Sequence, residues 1–502
     1  MDPSWRREQK YRFLEQNADR SSIDWTEEKV DKSGFWLPVE SKDEFADFVP
    51  LADKTERSKT GKPSALFGQF SHGVYTGRDS VVYNFNRAVL EDNVQEFIAT
   101  YNSEVDRWVR AGRPKDVDNF VDYQSLKWTR NTKRDLTNLQ FCKFEALRVR
   151  VAVYRPFVKS FLYLQDILVD EPGQLNSLIP SDKAANRILW LKVGSEWPSF
   201  MLCTDVTPHY LPQGGSQCFP FYTYAEDGTH RRENITDWAL EQFRSHYADP
   251  SITKWDIFHY IYAVLHHPDY RQRYAANLRR ELPRVPFART TGAEAHKDGT
   301  PDAGLKPGSS TGLTTAGSTV EERRFSAASS DKKKNNSTLP KAVAGERSSQ
   351  ATIKNADLEI FRAFVKAGQR LAEIHVHYEQ QPEYPLTKVE KAGEKLDYRV
   401  TKMKPSKDKT SLIYNQFLTL SGIPPETYEY RLGNRSALEW IIDQYQVSTD
   451  KRSGITNDLN RDDDPEYILR LIGQVITVSL ETVSIIKALP ELGISEISTA
   501  IL

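Results

Sequence analysis

Tyr430-Arg-Leu-Gly-Asn-Arg-Ser-Ala-Leu-Glu-Trp440 is the stretch on which the reading of this chain turns, with Ser448-Thr-Asp-Lys-Arg-Ser-Gly-Ile455 close behind it. Gly433-Asn434-Arg435 has turn chemistry, and Thr449 to Gly454 reads as a second loop. Asn434, Arg435, Lys451 and Arg452 therefore carry amide and cationic donors on two loops, a set suited to phosphate oxygens and base edges. Lys407, Lys409 and Asn415, in Lys404-Pro-Ser-Lys-Asp-Lys-Thr-Ser-Leu-Ile-Tyr-Asn415, form a similar set. The plain alternative for all of them is a solvated, charge-rich surface.

Three longer runs extend the pattern upstream: Glu233 to Leu240, Ile252 to Tyr270 and Tyr274 to Pro286. Ser71-His-Gly-Val-Tyr-Thr-Gly-Arg-Asp79 and Tyr154-Arg-Pro-Phe157 precede them. Together these segments resemble the C-terminal target-recognition region of Type ISP restriction-modification enzymes. In that family one polypeptide joins a nuclease, a DNA-translocating ATPase, a helical coupler, an adenine-N6 methyltransferase and a recognition domain, in that order.

The resemblance implies an α+β chain. Residues 1–110 would be the trailing part of a methyltransferase domain, and 111–502 a mixed recognition domain with helical hairpins. Its partner would be double-stranded DNA, read at a short asymmetric site. Thr76 and Arg78 would lie near the DNA-facing junction, and Arg155 would offer a planar fork to phosphate or guanine. Against this, Arg78 could pair with Asp79 to pin a turn, and Arg155 could make a salt bridge at a strand start.

The chemistry-bearing motifs of the family do not occur. There is no glycine-rich loop ending in Gly-Lys-Ser/Thr for ATP. There is no Asn/Asp/Ser-Pro-Pro-Tyr/Phe tetrapeptide to grip a flipped adenine, and no glycine-rich strand–turn–helix for S-adenosylmethionine. Asp205, Asp227, Glu233 and Asp237 have no catalytic spacing, and no nuclease signature is evident. No cofactor is expected in this chain. S-adenosylmethionine and ATP with magnesium are implied only for other domains, including a separate methyltransferase, translocase or nuclease chain, and no activity is expected of this chain alone. Two other readings stay open: an active adenine methyltransferase with unrecognised motifs, and a gene fragment or assembly subunit.

Composition sets wider bounds. The formal net charge is −1, so any basic surface must be local. Between 106 and 159, thirteen basic residues face six acidic ones, with Tyr123, Trp128, Phe141, Tyr154 and Phe157 interleaved, a candidate phosphate-tracking surface. Cys142, Cys203 and Cys218 are too few and scattered for a disulfide framework. The start has no secretory pattern and no apolar run reaches membrane length, so a cytoplasmic protein without membrane contact is expected. His266-His267 and His375-Val-His377 lack metal-ligand companions, and no metal is expected. The first pair sits at a helix end, where a cation is favoured.

Local elements follow from periodicity. A short amphipathic helix is read over Trp5–Leu14 and a strand over Val81–Phe85. Asn86 caps a long helix whose face is Leu90, Val94, Phe97, Tyr101, Val105 and Trp108. Residues 186–224 read as β structure. Thr253 to Asp256 is a capping box into a helix through Leu265, followed by a second helix over Tyr270–Leu282 and hence a helical hairpin. Residues 290–355 read as a disordered insertion. Asp464-Pro465 opens an apolar helix to about Leu489, which should be deeply buried or form an interface.

Overall fold

Ile188-Leu-Trp-Leu-Lys192 is buried at every position, so both faces of this strand must meet apolar partners. It runs inside a four-stranded sheet ordered Ser71–His72, Gln217–Pro220, Ile188–Lys192, Phe200–Thr204. Alternate side chains leave the sheet on opposite sides. Ile188, Trp190, Leu202 and Cys218 enter one hydrophobic core, while Leu189, Leu191, Met201, Cys203 and Phe219 enter another. The sheet is the wall between two cores. The structure, a computed structural model, describes residues 7–17, 19, 21, 23, 43–52, 64–174, 179–181, 184–192, 200–211, 215–225, 228–290, 341–451 and 453–494, with 341–353 as backbone only.

The first core is built around the helix Arg87–Arg110. The Asn86 side chain accepts from the amides of Ala88 and Val89, and Leu90, Val94, Phe97, Tyr101, Val105 and Trp108 are all buried, as the spacing predicts. A second sheet, ordered Tyr83–Asn84, Val158–Tyr163, Val149–Arg155, Thr207–Pro208, packs on it. The strand expected over Val81–Phe85 is shorter than its β-branched residues suggest. Asp79–Val82 forms a single helical turn, closed by the Val81 amide on the Arg78 carbonyl at 3.0 Å, and only Tyr83–Asn84 pairs. Leu412, Tyr414, Leu438, Ile441 and most of the helix Tyr467–Lys487 share this core, so it joins residues from both sides of position 110.

The second core holds the helices Asp237–Tyr247, Lys254–Val264 and Lys341–Val376. Thr253 and Asp256 form the expected capping box. The expected hairpin does not form. Tyr274 leaves helical geometry, splitting the second segment into Pro268–Arg273 and Ala275–Leu278. Its ring packs 5.3 Å from both Phe45 and Phe48, and its hydroxyl donates to Glu44 at 2.7 Å. The partner of Lys254–Val264 is instead Lys341–Val376. Gly368 permits the closest approach, because a Cβ there would lie 1.9 Å from the His259 carbonyl oxygen.

A buried hydrogen-bond chain ties this core to the C-terminal helix. The Cys203 amide donates to the Tyr262 hydroxyl at 2.9 Å, and that hydroxyl donates to His375 Nδ1 at 2.6 Å. His375 Nε2 then donates to the Thr482 hydroxyl at 2.8 Å. Both imidazole nitrogens are thus used, and no group of metal-ligating side chains occurs among the described residues.

Residues 341–355, read as part of a disordered insertion, belong to the helix Lys341–Val376; residues 291–340 lie outside the described residues. Once a helix is nucleated by a packed segment, each further residue adds one hydrogen bond. The last helix starts at Tyr467, not at Pro465, and has no side-chain cap. Asp464 pairs with Arg470 instead, at 2.9 Å. Among the described residues, Tyr467–Lys487 alone is long and apolar enough to cross a membrane, yet it is mostly buried in this fold. The N-terminal helix spans Arg7–Gln16, buries no residue and leaves Trp5 outside the described residues.

Burial also corrects the reading of His266 and His267 as a cationic helix end. Desolvation pushes His266 down to about 3 and lowers His267, so both are neutral. His246 and His259 are pushed down to about 4, and His375 is also lowered well below the ordinary value, for the same reason. Unfolded histidine binds its proton near pH 6.5. Between that pH and the folded values the unfolded chain holds more protons, so stability is present above pH 6.5 and lost as pH falls. Each extra proton contributes a slope of about 1.4 kcal/mol per pH unit. Unfolding titrations between pH 7 and 4 are expected to show this loss well above the carboxylate range, and a flat profile down to pH 5 would refute it.

Candidate nucleic-acid interface

Gly77 adopts a φ of +69°, and a Cβ there would lie 2.4 Å from the Asp170 carboxylate, so the turn Thr76–Asp79 needs glycine. The turn sends its two charged residues in opposite directions. Arg78 points inward and is 1% exposed. Its guanidinium donates to the Leu168 carbonyl at 2.6 Å, to the Thr129 hydroxyl at 3.0 Å and to Asp170 at 3.3 Å. Asp79 points into a cleft, with a third of its side chain exposed.

The cleft has an outer chamber of about 380 Å³ and an inner one of about 230 Å³, which share Asp79, Ser80 and Asp450. Six remote stretches build the outer chamber: Tyr75 with 77–81, Phe97, 124–127, Arg155, 209–211, and the loop residues Asp450 and Ser453. Arg155 stacks on the Tyr154 ring at 3.9 Å, and Lys127 is exposed at the same chamber.

A fixed polar pair sits between the chambers. The Leu211 amide donates to His209 Nδ1 at 2.8 Å, so that nitrogen is the acceptor and the ring proton is on Nε2. Nε2 then donates to Asp79 Oδ2 at 3.0 Å. Desolvation holds the buried His209 neutral, although Asp79 favours its charged form. Burial alone would raise the Asp79 carboxyl. Hydrogen bonds from His209 and Thr76, with the Arg155 charge nearby, outweigh it and hold the group well below the usual carboxylate range.

The sequence model of the Type ISP C-terminal specificity domain matches residues 65–293 and 354–471. The chain belongs to the Type ISP C-terminal specificity domain family. Three similar solved structures are larger proteins. A nuclease-deletion mutant of the Type ISP restriction-modification enzyme LlaGI, in complex with a DNA substrate mimic, is 29% identical with a TM-score of 0.72 over 98% of this chain and 38% of its own. DrdV, in a complex with DNA, is 28% identical with a TM-score of 0.73 over 97% and 42%. The ATP-dependent Type ISP enzyme LlaBIII, bound to DNA, is 26% identical with a TM-score of 0.70 over 93% and 26%. The present chain thus spans well under half the length of each. No curated protein matches it.

Within this specificity-domain fold the expected site residues scatter. Thr76 is fully buried, its hydroxyl donating to Asp79, and Arg78 is a buried brace, so neither is a surface group, and Arg78 pairs with Asp170 rather than with Asp79. Asn415 is consumed internally, donating to the carbonyls of Asp397 and Arg399 and accepting from the amides of Phe417 and Leu418. Arg155 reaches the cleft and, among the described residues, makes no salt bridge; it ends its strand rather than starting one and approaches His209 at 3.2 Å.

Lys409 and the 431–436 hairpin converge on the helix Ala437–Gln444. Lys409 pairs with Glu439 at 2.8 Å and Arg435 with Asp443 at 3.2 Å, while Gly433, at φ +72°, and exposed Asn434 form the hairpin turn. Lys407 and Lys451 are exposed, and Arg452 lies outside the described residues. In the basic stretch 106–159, Arg107, Lys133, Arg134, Arg148 and Lys159 are in ion pairs, but Asp118, Asp135 and Glu145 are already among its six acids, so only Glu104 and Glu379 lower the excess, and most of it remains. Lys127 and Arg155 are the members that reach the cleft. The Asp79–His209 pair is not foreseen: Asp79 closes the 71–79 motif, but nothing local relates it to His209, 130 positions away.

Proposed function

We propose that this chain recognises a short asymmetric sequence in duplex DNA and so specifies where catalytic domains outside it methylate adenine and cut. The carrying observation is membership of the specificity-domain family across both sides of the 294–353 break in the match. The DNA complexes of LlaGI, DrdV and LlaBIII support the same reading, as does a cleft that gathers Lys127, Arg155, Asp450 and Ser453. Phosphates would meet Arg155, Lys127, Lys407, Lys451 and the Lys409–Arg435 group, while groove contacts would come from the 433–435 and 449–454 loops. S-adenosylmethionine, ATP and magnesium would be bound by the methyltransferase and translocase domains or by a separate chain carrying them. Residues 1–110 would be the methyltransferase-side tail and 111–502 the recognition unit, working in the cytoplasm.

Selection from a randomised duplex pool at near-physiological salt, using the full chain, tests this. Enrichment of one asymmetric motif is expected; an unenriched pool would sink the proposal. Affinity for the enriched duplex should fall steeply with salt. Arg155→Ala and Lys127→Ala should each lower the slope of log K against log salt by about one. Unchanged slopes in both variants would remove the cleft from the interface.

A further inference from the structure

We propose that the inner chamber of the cleft reads one nucleobase, with the Asp79 carboxylate accepting the exocyclic amine of cytosine or adenine. The inference rests on the DNA-recognition reading and adds the chemical identity of one contact.

The chamber is lined by Asp79, Tyr83, Phe85, Tyr154, Asp450 and Asn457, among others. Its walls are aromatic: Tyr83 and Tyr154 have ring centroids 4.9 Å apart, and Phe85 lies 6.5 Å from Tyr154. Flat apolar rings suit a planar ligand, and every base has a face to stack. Its polar groups are unfinished. Among the described residues the Tyr83 hydroxyl and Asn457 Oδ1 are buried atoms with no hydrogen-bond partner. Folded proteins leave few such atoms, and those that remain call for a ligand or another explanation.

Asp79 has the matching vacancy in its bonding. An ionised carboxylate has about four acceptor positions. Thr76 takes one on Oδ1, while His209 and, at 3.4 Å, Tyr154 take Oδ2. The His209 tautomer is fixed by the Leu211 amide, so Nε2–H always faces Asp79 and the carboxylate stays an acceptor. A remaining lone pair at a partly exposed carboxylate in a cleft takes an N–H donor. Acidic side chains read the amine of cytosine in this way, and the adenine amine offers the same donor. In a paired adenine the Tyr83 hydroxyl can donate to N7; the cytosine ring nitrogen, and the second amine N–H that Asn457 Oδ1 would accept, are open only in a base drawn out of the stack into the chamber.

The test is pool selection with the native chain, Asp79→Asn and Tyr83→Phe, alongside thermal unfolding. Asp79→Asn adds a donor where an acceptor stood. It is expected to abolish a cytosine or adenine preference at one base-pair position, with a loss of roughly ten-fold for that duplex. Other positions and the salt slope should hold. Tyr83→Phe removes a hydroxyl with no partner in the fold, so Tm should not fall while the same position weakens. It decides the matter if Asp79→Asn does not fold. Cytosine against adenine is read from the native motif. A native motif reproduced unchanged by both variants overturns the inference while leaving DNA recognition standing, as does one eroded at every position by Tyr83→Phe. Absence of any motif with the native chain overturns both.

Discussion

Arg78→Ala is expected to destabilise the protein by about 3–5 kcal/mol, the cost of removing one partner from a buried charge pair. The guanidinium is 1% exposed and joins three segments: its own turn, Thr129 at the start of the helix Arg130–Thr137, and the loop Leu168–Asp170. Its loss leaves the Leu168 carbonyl unpaired and strips Asp170, only 11% exposed, of its countercharge. Thr129 still donates to Asp170 at 2.7 Å, which limits the damage but does not replace the charge. Lysine keeps the charge but not the fork, so Arg78→Lys should recover only part of the loss. Urea denaturation measures both. A shift in Arg78→Ala below about 0.5 kcal/mol, the usual size of an exposed substitution, would show that the brace is not needed.

Gly368→Ala should cost about 3 kcal/mol, against the trend of helix propensity. Alanine in place of glycine in a helix is ordinarily worth about 1 kcal/mol in its favour. Here the added methyl would sit 1.9 Å from the His259 carbonyl oxygen and 3.2 Å from its Cα, which are backbone atoms of the facing helix. Neither can rotate away, so the helices Lys254–Val264 and Lys341–Val376 must part, and overpacking of this kind costs 1–3 kcal/mol or more. Gly473→Ala is the milder comparison: its nearest neighbours would be Glu383 Cβ and the Tyr384 backbone nitrogen, both 3.2 Å away, so a shift of a few tenths of an ångström suffices. The two variants should differ by at least about 1.5 kcal/mol in denaturant unfolding, and equal stabilities would refute the close-approach argument.

Caps and amphipathic faces are legible in the sequence itself. Asn86, Thr253 with Asp256, and the Leu90–Trp108 stripe each announce themselves within one helix. The α+β class and the family were legible too, because long aromatic and aliphatic runs record packing. Tyr83 and Val82 illustrate what was not: Val81 and Val82 favour strands, but the turn needed to turn Arg78 inward takes them first. Tyr274 is similar, since its docking on Phe45 and Phe48 breaks a helix from outside that helix. The cleft was least legible. Its outer chamber brings Tyr75, Lys127, Arg155, His209 and Asp450 to one place, and no local pattern relates them. Arg78 is expected near the DNA-facing junction, or paired with Asp79 to pin a turn, and neither expectation foresees its burial, because charge is visible in sequence and burial is not.

The wall between the two cores has a consequence during synthesis. Its second face is closed by the Lys341–Val376 helix and by Leu492, and Tyr262 waits 113 residues for His375. At ribosomal rates of 5–20 residues per second that interval is roughly 6–23 s. For that time a nascent chain displays Leu189, Leu191, Phe219 and Ile261, side chains that end with no more than 1% exposure. Throughout that delay the emerging polypeptide is a client for holdase chaperones, and slowing translation between codons 265 and 375 would lengthen its exposure to aggregation.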